Sequence, residues 1–182
     1  MGTAQTPAHS AAAALLRATL PLMKKVPPVD LGVVCDHLGI EVYSHPCGAF
    51  GAVCVWKGQR RILMVNASMN LGRARFSIAH ELGHVLLGHR FEHGRNAGPG
   101  LPVPRIAWQE RQADRFAVEL LMPASLLAGE PRAQGGDCGV AELSRRYKVS
   151  AQAMRIRLEA LGLLRAPAAG GGASAGMRIF GP

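Results

Sequence analysis

Five residues constrain this chain more than any other stretch: His80-Glu81-Leu82-Gly83-His84, at the centre of the run RARFSIAHELGHVLLGHR from Arg73 to Arg90. Read as a helix, the run puts His80 and His84 four residues apart and so on nearly one face, where two imidazole nitrogens can bind one metal ion. Glu81 then projects beside that position, where a carboxylate can take a proton from water activated by the metal. Around them Phe76, Ile78, Ala79, Leu82, Val85, Leu86 and Leu87 leave few polar directions, which predicts a buried helix. Two histidines and a glutamate on such a helix need partners, and a zinc ion supplies one. The competing reading is a core helix with satisfied histidines, so the motif calls for a third ligand elsewhere.

Length and charge bound the search for it. The 182 residues suffice for one domain with its own core. No uncharged apolar run approaches the roughly 20 residues of a membrane helix, the longest being broken by Arg17 and Pro21. The Ala-rich residues 1–22 lack a basic start followed by a long apolar segment, so no signal peptide is read and a cytoplasmic location is expected. Cys35, Cys47, Cys54 and Cys138 form no Cys-x-x-Cys pair and are expected to be packing residues. A net charge of +9 favours an acidic partner, nucleic acid included, although an Ala-, Gly- and Arg-rich composition is also what a GC-rich genome encodes.

Along the chain, Ser10 can cap a helix from Ala11 to about Leu20, and Asp30 a second over 31–38 that stops at Gly39. Ile40–Tyr43 reads as a strand, and 49–56 with 61–65 as a hairpin around Lys57-Gly58-Gln59, which predicts a small antiparallel sheet. Residues 92–107 are rich in Gly and Pro and read as a loop. From Trp108 to Met122, Ala113, Phe116, Ala117, Leu120 and Leu121 recur at the spacing of a core-facing helical stripe.

The missing ligand lies on that helix. Glu110 and Asp114 are four residues apart; Glu110 fits the carboxylate of a two-histidine, one-glutamate metal site, and Asp114 can accept the other ring N–H of a ligand histidine. The alternative is a solvated helix face, with Arg111 and Arg115 beside the two acids. Farther on, Glu119 reads as surface charge. His89, His93, Tyr43 and Tyr147 are candidates for oxyanion stabilisation by side-chain chemistry alone.

Together, RARFSIAHELGHVLLGH and ERQADRFAVELLMP resemble the two helical motifs of the ImmA/IrrE family of metallopeptidases, and the likeness extends over roughly residues 8 to 164. The resemblance implies an α+β, zincin-like domain over residues 8–139, with zinc held by His80, His84 and Glu110, and with Glu81 as general base and then proton donor. It further implies cleavage of a helix-turn-helix repressor of the XRE type, relieving repression of mobile-element or stress-response genes. The short form of the family, without a C-terminal sensor-like domain, is the one the chain is similar to. A different class of reading is a metal-stabilised regulator that sequesters the repressor or binds DNA without proteolysis.

Val140–Tyr147 and Ala151–Leu161, with Ser150 capping the second, read as a helix-turn-helix-like pair over 140–165, made basic by Arg145, Arg146, Lys148, Arg155, Arg157 and Arg165. Packing on the domain through Leu143, Met154, Ile156 and Leu158, or docking of the repressor, is favoured over direct DNA contact. Residues 166–182 read as a flexible tail.

Overall fold

A computed structural model describes residues 6–46, 51–89, 106–130 and 136–164, with 136–138 as backbone only. Helix α1 (Pro7–Thr19) begins a turn before the expected Ser10 cap. Thr6 caps it instead, its Oγ1 accepting the His9 amide hydrogen at 3.3 Å, and Pro7 occupies the first turn, where a missing N–H costs nothing. After a 3₁₀ turn (Leu20–Leu22), α2 (Leu31–His37) starts at Asp30, which accepts the Gly32 amide hydrogen at 2.9 Å.

Strands β1 (Ile40–His45), β2 (Ala52–Lys57) and β3 (Arg60–Asn66) form one sheet in the order β1-β3-β2. The hairpin β2–β3 is antiparallel as expected, but β1 joins β3 in parallel, pairing Ile40 with Arg61 and His45 with Asn66. The sheet is therefore mixed, because β1 adds to the far side of β3 and leaves β2 as an edge. Alternation sorts the faces: Ala52, Cys54, Leu63 and Val65 are buried, while Val53, Val55, Ile62 and Met64 face outward and are partly exposed.

Helix α3 (Leu71–Leu86) carries the HExxH residues. Asn70 caps it by accepting the Arg73 amide hydrogen at 3.0 Å, and the helix packs between the sheet and α4 (Ala107–Leu121). Its fully buried apolar positions are Ala79 and Leu82. From α4, Ala113, Phe116, Ala117, Leu120 and Leu121 enter the core as the expected stripe, and α1 packs along the same helix. Of the expected loop 92–107, only Ile106 and Ala107 lie among the described residues, and Ala107 already opens α4. The tail 166–182, Arg165 and His93 fall outside them.

Beyond α5 (Ala124–Ala128), α6 (Gly136–Tyr147) and α7 (Ala151–Ala160) pack on each other, with Ser150 Oγ capping α7 through the Ala153 amide. Leu143, Tyr147, Met154 and Leu158 are fully buried and belong to the same hydrophobic cluster as α1 to α4. Ile156, read above as a packing residue, is instead partly exposed on the surface, and Arg157 is buried. The Arg157 guanidinium donates to Met122 O at 3.0 Å and, in a fork, to Glu119 Oε1 and Oε2 at 3.0 and 2.6 Å. Glu119 is thus no solvated charge; it is also 3.4 Å from His9 Nδ1, tying α1, α4 and α7 together. Arg157→Lys keeps the charge and one bond to Glu119 but loses the second prong of the fork and the carbonyl bond. We expect it to lower unfolding stability by about 1–2 kcal/mol, measured by urea denaturation, since each lost hydrogen bond costs about 1 kcal/mol.

Among the described residues no helix is long and apolar enough to cross a membrane.

Candidate metal centre

Helical spacing brings His80 and His84 onto one face of α3, and the packing of α4 brings Glu110 opposite them. His84 Nε2 lies 2.9 Å from His80 Nε2 and 3.1 Å from Glu110 Oε1, and His80 Nε2 lies 3.4 Å from Glu110 Oε2. All the potential ligand atoms fall within 4.8 Å of one another. His84 is fully buried, His80 nearly so, and Glu110 opens to the outside.

The proton on His80 can be assigned from its neighbour. His80 Nδ1 is 2.8 Å from Asp114 Oδ1, and an ionised carboxylate only accepts, so Nδ1 carries the hydrogen and Nε2 presents a lone pair toward Glu110. Two nitrogens and a carboxylate with electron pairs directed at one point are a donor set that fits a metal ion in tetrahedral geometry, with a fourth position left for water or substrate. His80, His84 and Glu110 could therefore hold a metal ion.

Glu81 is buried on the sheet side of this cluster, at 2% exposure. Its Oε2 accepts the Cys54 backbone amide hydrogen of β2 at 3.3 Å. Burial first, and the Glu81 carboxylate second, push the Cys54 thiol up to about 11, so it is a neutral packing group. Cys35, buried and also free of disulfide bonding, is likewise pushed up to about 12.

The end of α3 brings in a residue that the sequence reading named only by chemical type. Gly88 has φ +66°, a conformation side-chain-bearing residues rarely adopt, and it turns the chain back. The His89 amide then donates to His84 O at 3.0 Å, and its ring lies against His84 with the two Nδ1 atoms 3.0 Å apart. Burial holds the His89 imidazole below the ordinary histidine range. Among the described residues its Nε2 has no hydrogen-bond partner of good geometry, with Gln112 the polar side chain beside it.

Of the other oxyanion candidates, the two described tyrosines are engaged elsewhere. Tyr43 is exposed on β1 and donates to Glu41 Oε2 at 2.9 Å. Tyr147 is fully buried, its hydroxyl 3.4 Å from Glu130 Oε1, and burial pushes its phenol well above the usual range.

Two comparisons with known proteins give matches. The family model described as Peptidase_M78, IrrE N-terminal-like domain, matches residues 35–159, which include every residue of the cluster. Among solved structures, a Mycobacterium tuberculosis transcriptional regulator superposes with a TM-score of 0.56 at 18% identity, over 83% of this chain and 46% of that one. That likeness is one of fold, and the chain spans less than half the length of the regulator. No curated protein sequence matches the chain. With the family match covering the sheet, the HExxH helix and the glutamate helix, the chain belongs to the M78 peptidase family of IrrE-like proteins.

Proposed function

We propose that the protein is a zinc-dependent endopeptidase that cleaves and inactivates a partner helix-turn-helix repressor of the XRE type in the cytoplasm, releasing mobile-element or stress-response genes. The observation that carries the reading is the convergence of His80, His84 and Glu110 on one point with Glu81 on the same helix. In this reading His80, His84 and Glu110 are the ligands, and Asp114 fixes the tautomer of His80. Manganese or iron would also accept two imidazoles and one carboxylate, and tetrahedral N and O ligation favours zinc among them. When bound, it supplies Lewis-acid chemistry, lowering the pKa of water toward about 7 and polarising a carbonyl.

The chain's own residues do the rest. Glu81 takes the proton of the attacking water and returns it to the leaving amine. Its hydrogen bond to Cys54 N anchors one carboxylate oxygen against β2. Because that amide points away from β3, alternation along β2 places the amides of Ala52 and Trp56 on the same open side. An extended substrate segment can add there as another strand, running beside Glu81.

The test is incubation of the zinc-loaded protein with the small helix-turn-helix protein encoded beside its gene, read by intact mass. The expected result is one cut, giving two fragments. A stable complex with zinc bound and no cut overturns the proteolytic reading in favour of sequestration, and salt-dependent binding of the protein alone to operator DNA favours a DNA-binding regulator.

A further inference from the structure

We propose that His89 is a positioning residue for the metal site, its Nδ1 accepting the Nδ1–H of His84 so that the His84 Nε2 lone pair is held toward Glu110 and His80. The inference rests on the reading of His80, His84 and Glu110 as metal ligands.

The local sequence builds this contact. Helix α3 closes through a paired set of backbone bonds, Gly88 N to Val85 O at 3.4 Å and His89 N to His84 O at 3.0 Å, around the left-handed Gly88. In that type of helix ending, the residue after the glycine meets the side chain five positions back, usually by an apolar contact. Here both positions are histidine, and the contact becomes a hydrogen bond between rings at 3.0 Å. The sequence His84-Val-Leu-Leu-Gly88-His89 thus places a hydrogen-bonding group behind the ligand.

The geometry excludes His89 as a ligand through the atom that touches His84. It meets Nδ1, whereas the atom of His84 facing Glu110 and His80 is Nε2. A neutral His84 ring has one hydrogen to place, and only its placement on Nδ1, donated to His89, leaves Nε2 with a lone pair to give to a metal. His89 is itself braced: its ring packs edge to face on Trp108, with centroids 5.5 Å apart and planes at 82°. Trp108 stands on the first turn of α4, two residues before Glu110, so the helix that brings the carboxylate also holds the ring behind the histidine. His80 and His84 are thereby oriented by different acceptors, a carboxylate for one and an imidazole for the other.

Zinc affinity of the full chain, measured by competition with a chelating dye, tests the proposal. His89→Leu removes the acceptor and should weaken binding by about 10- to 100-fold, the usual effect of losing a residue that hydrogen-bonds a ligand. His89→Asn sets an amide oxygen close to where Nδ1 stood and should recover most of that loss. Melting temperatures of the metal-free proteins separate this from unfolding. A scalar coupling between the two Nδ1 nuclei in the zinc-loaded, ¹⁵N-labelled protein needs no substitution and is expected. The proposal is overturned if His89→Leu binds zinc as tightly as the unaltered chain, if His89→Asn binds no better than His89→Leu, or if the coupling is absent. Failure of the unaltered chain to bind zinc would instead overturn the ligand assignment on which it rests.

Discussion

Glu81→Gln is expected to lower peptide-bond cleavage by about 10²- to 10⁴-fold, the contribution typical of a positioned proton-transfer group, while the protein keeps its metal and its fold. The reason lies in what the substitution leaves alone. Glutamine has the shape of glutamate, and its side-chain oxygen can still accept the Cys54 amide hydrogen that Glu81 Oε2 accepts at 3.3 Å. His80, His84 and Glu110, the three residues whose donor atoms converge, are untouched. What disappears is a basic oxygen able to take a proton from water and carry it to the leaving nitrogen. Intact-mass analysis of the partner repressor reads the cleavage, and metal stoichiometry with a melting curve reads the rest. Cleavage at an undiminished rate would remove Glu81 from the mechanism; a protein that loses both metal and stability would show that its carboxylate has a structural role.

The features legible in the sequence are those set by spacing within one helix. His80 and His84 lie one turn apart, and the apolar stripe Ala113, Phe116, Ala117, Leu120 and Leu121 is a periodicity that the structure turns directly into a buried face. The two caps Asp30 and Ser150 were likewise readable from residue type and position. Thr6 with Pro7 carried the same kind of signal for α1, but Ser10 was a competing cap within the same alanine-rich stretch.

Contacts between distant segments were not legible. The parallel pairing of β1 with β3 depends on which side of the hairpin β1 reaches, and the hydropathy of the two strands is the same for either side. The bond from Cys54 N to Glu81 involves a backbone amide, which has no signature in residue type. Glu119 and Arg157 are 38 positions apart, so their fork looked like two independent surface charges. His89 is the intermediate case. Its role follows from Gly88 as a left-handed helix ending, a glycine signal present in the sequence, whereas a helix continued to Arg90 would point the ring elsewhere.

Gly83 is where packing energy and the proposed chemistry meet, and Gly83→Val is expected to damage both. A Cβ at this position would lie 3.1 Å from Ala113 Cα, 3.1 Å from Phe116 Cδ1 and 3.2 Å from Ala113 O. Two of those atoms are helix backbone and the third belongs to a fully buried ring, so neither wall can yield locally. The close approach of α3 and α4 therefore leaves room for no more than a tightly fitted methyl at this crossing. A single methyl, in Gly83→Ala, sets this crowding against the roughly 1 kcal/mol that alanine gains over glycine inside a helix, and the two effects come near to cancelling. Valine adds two more carbons at the tightest point, and we expect a loss of about 2–3 kcal/mol, the upper part of the range for overpacked cores. For a chain of this size that is a fall in melting temperature of about 5–10 °C. The larger consequence is at the metal centre. Ala113 lies between Glu110 and Asp114 on α4, so pushing the helix outward lengthens both the 3.1 Å approach of Glu110 to His84 and the 2.8 Å bond of Asp114 to His80. Zinc affinity should fall by at least about tenfold, as it does when groups that orient a ligand are lost. Gly83→Ala should retain most of it. A valine variant that melts and binds zinc like the unaltered chain would show that the two helices are free to separate without cost to the site.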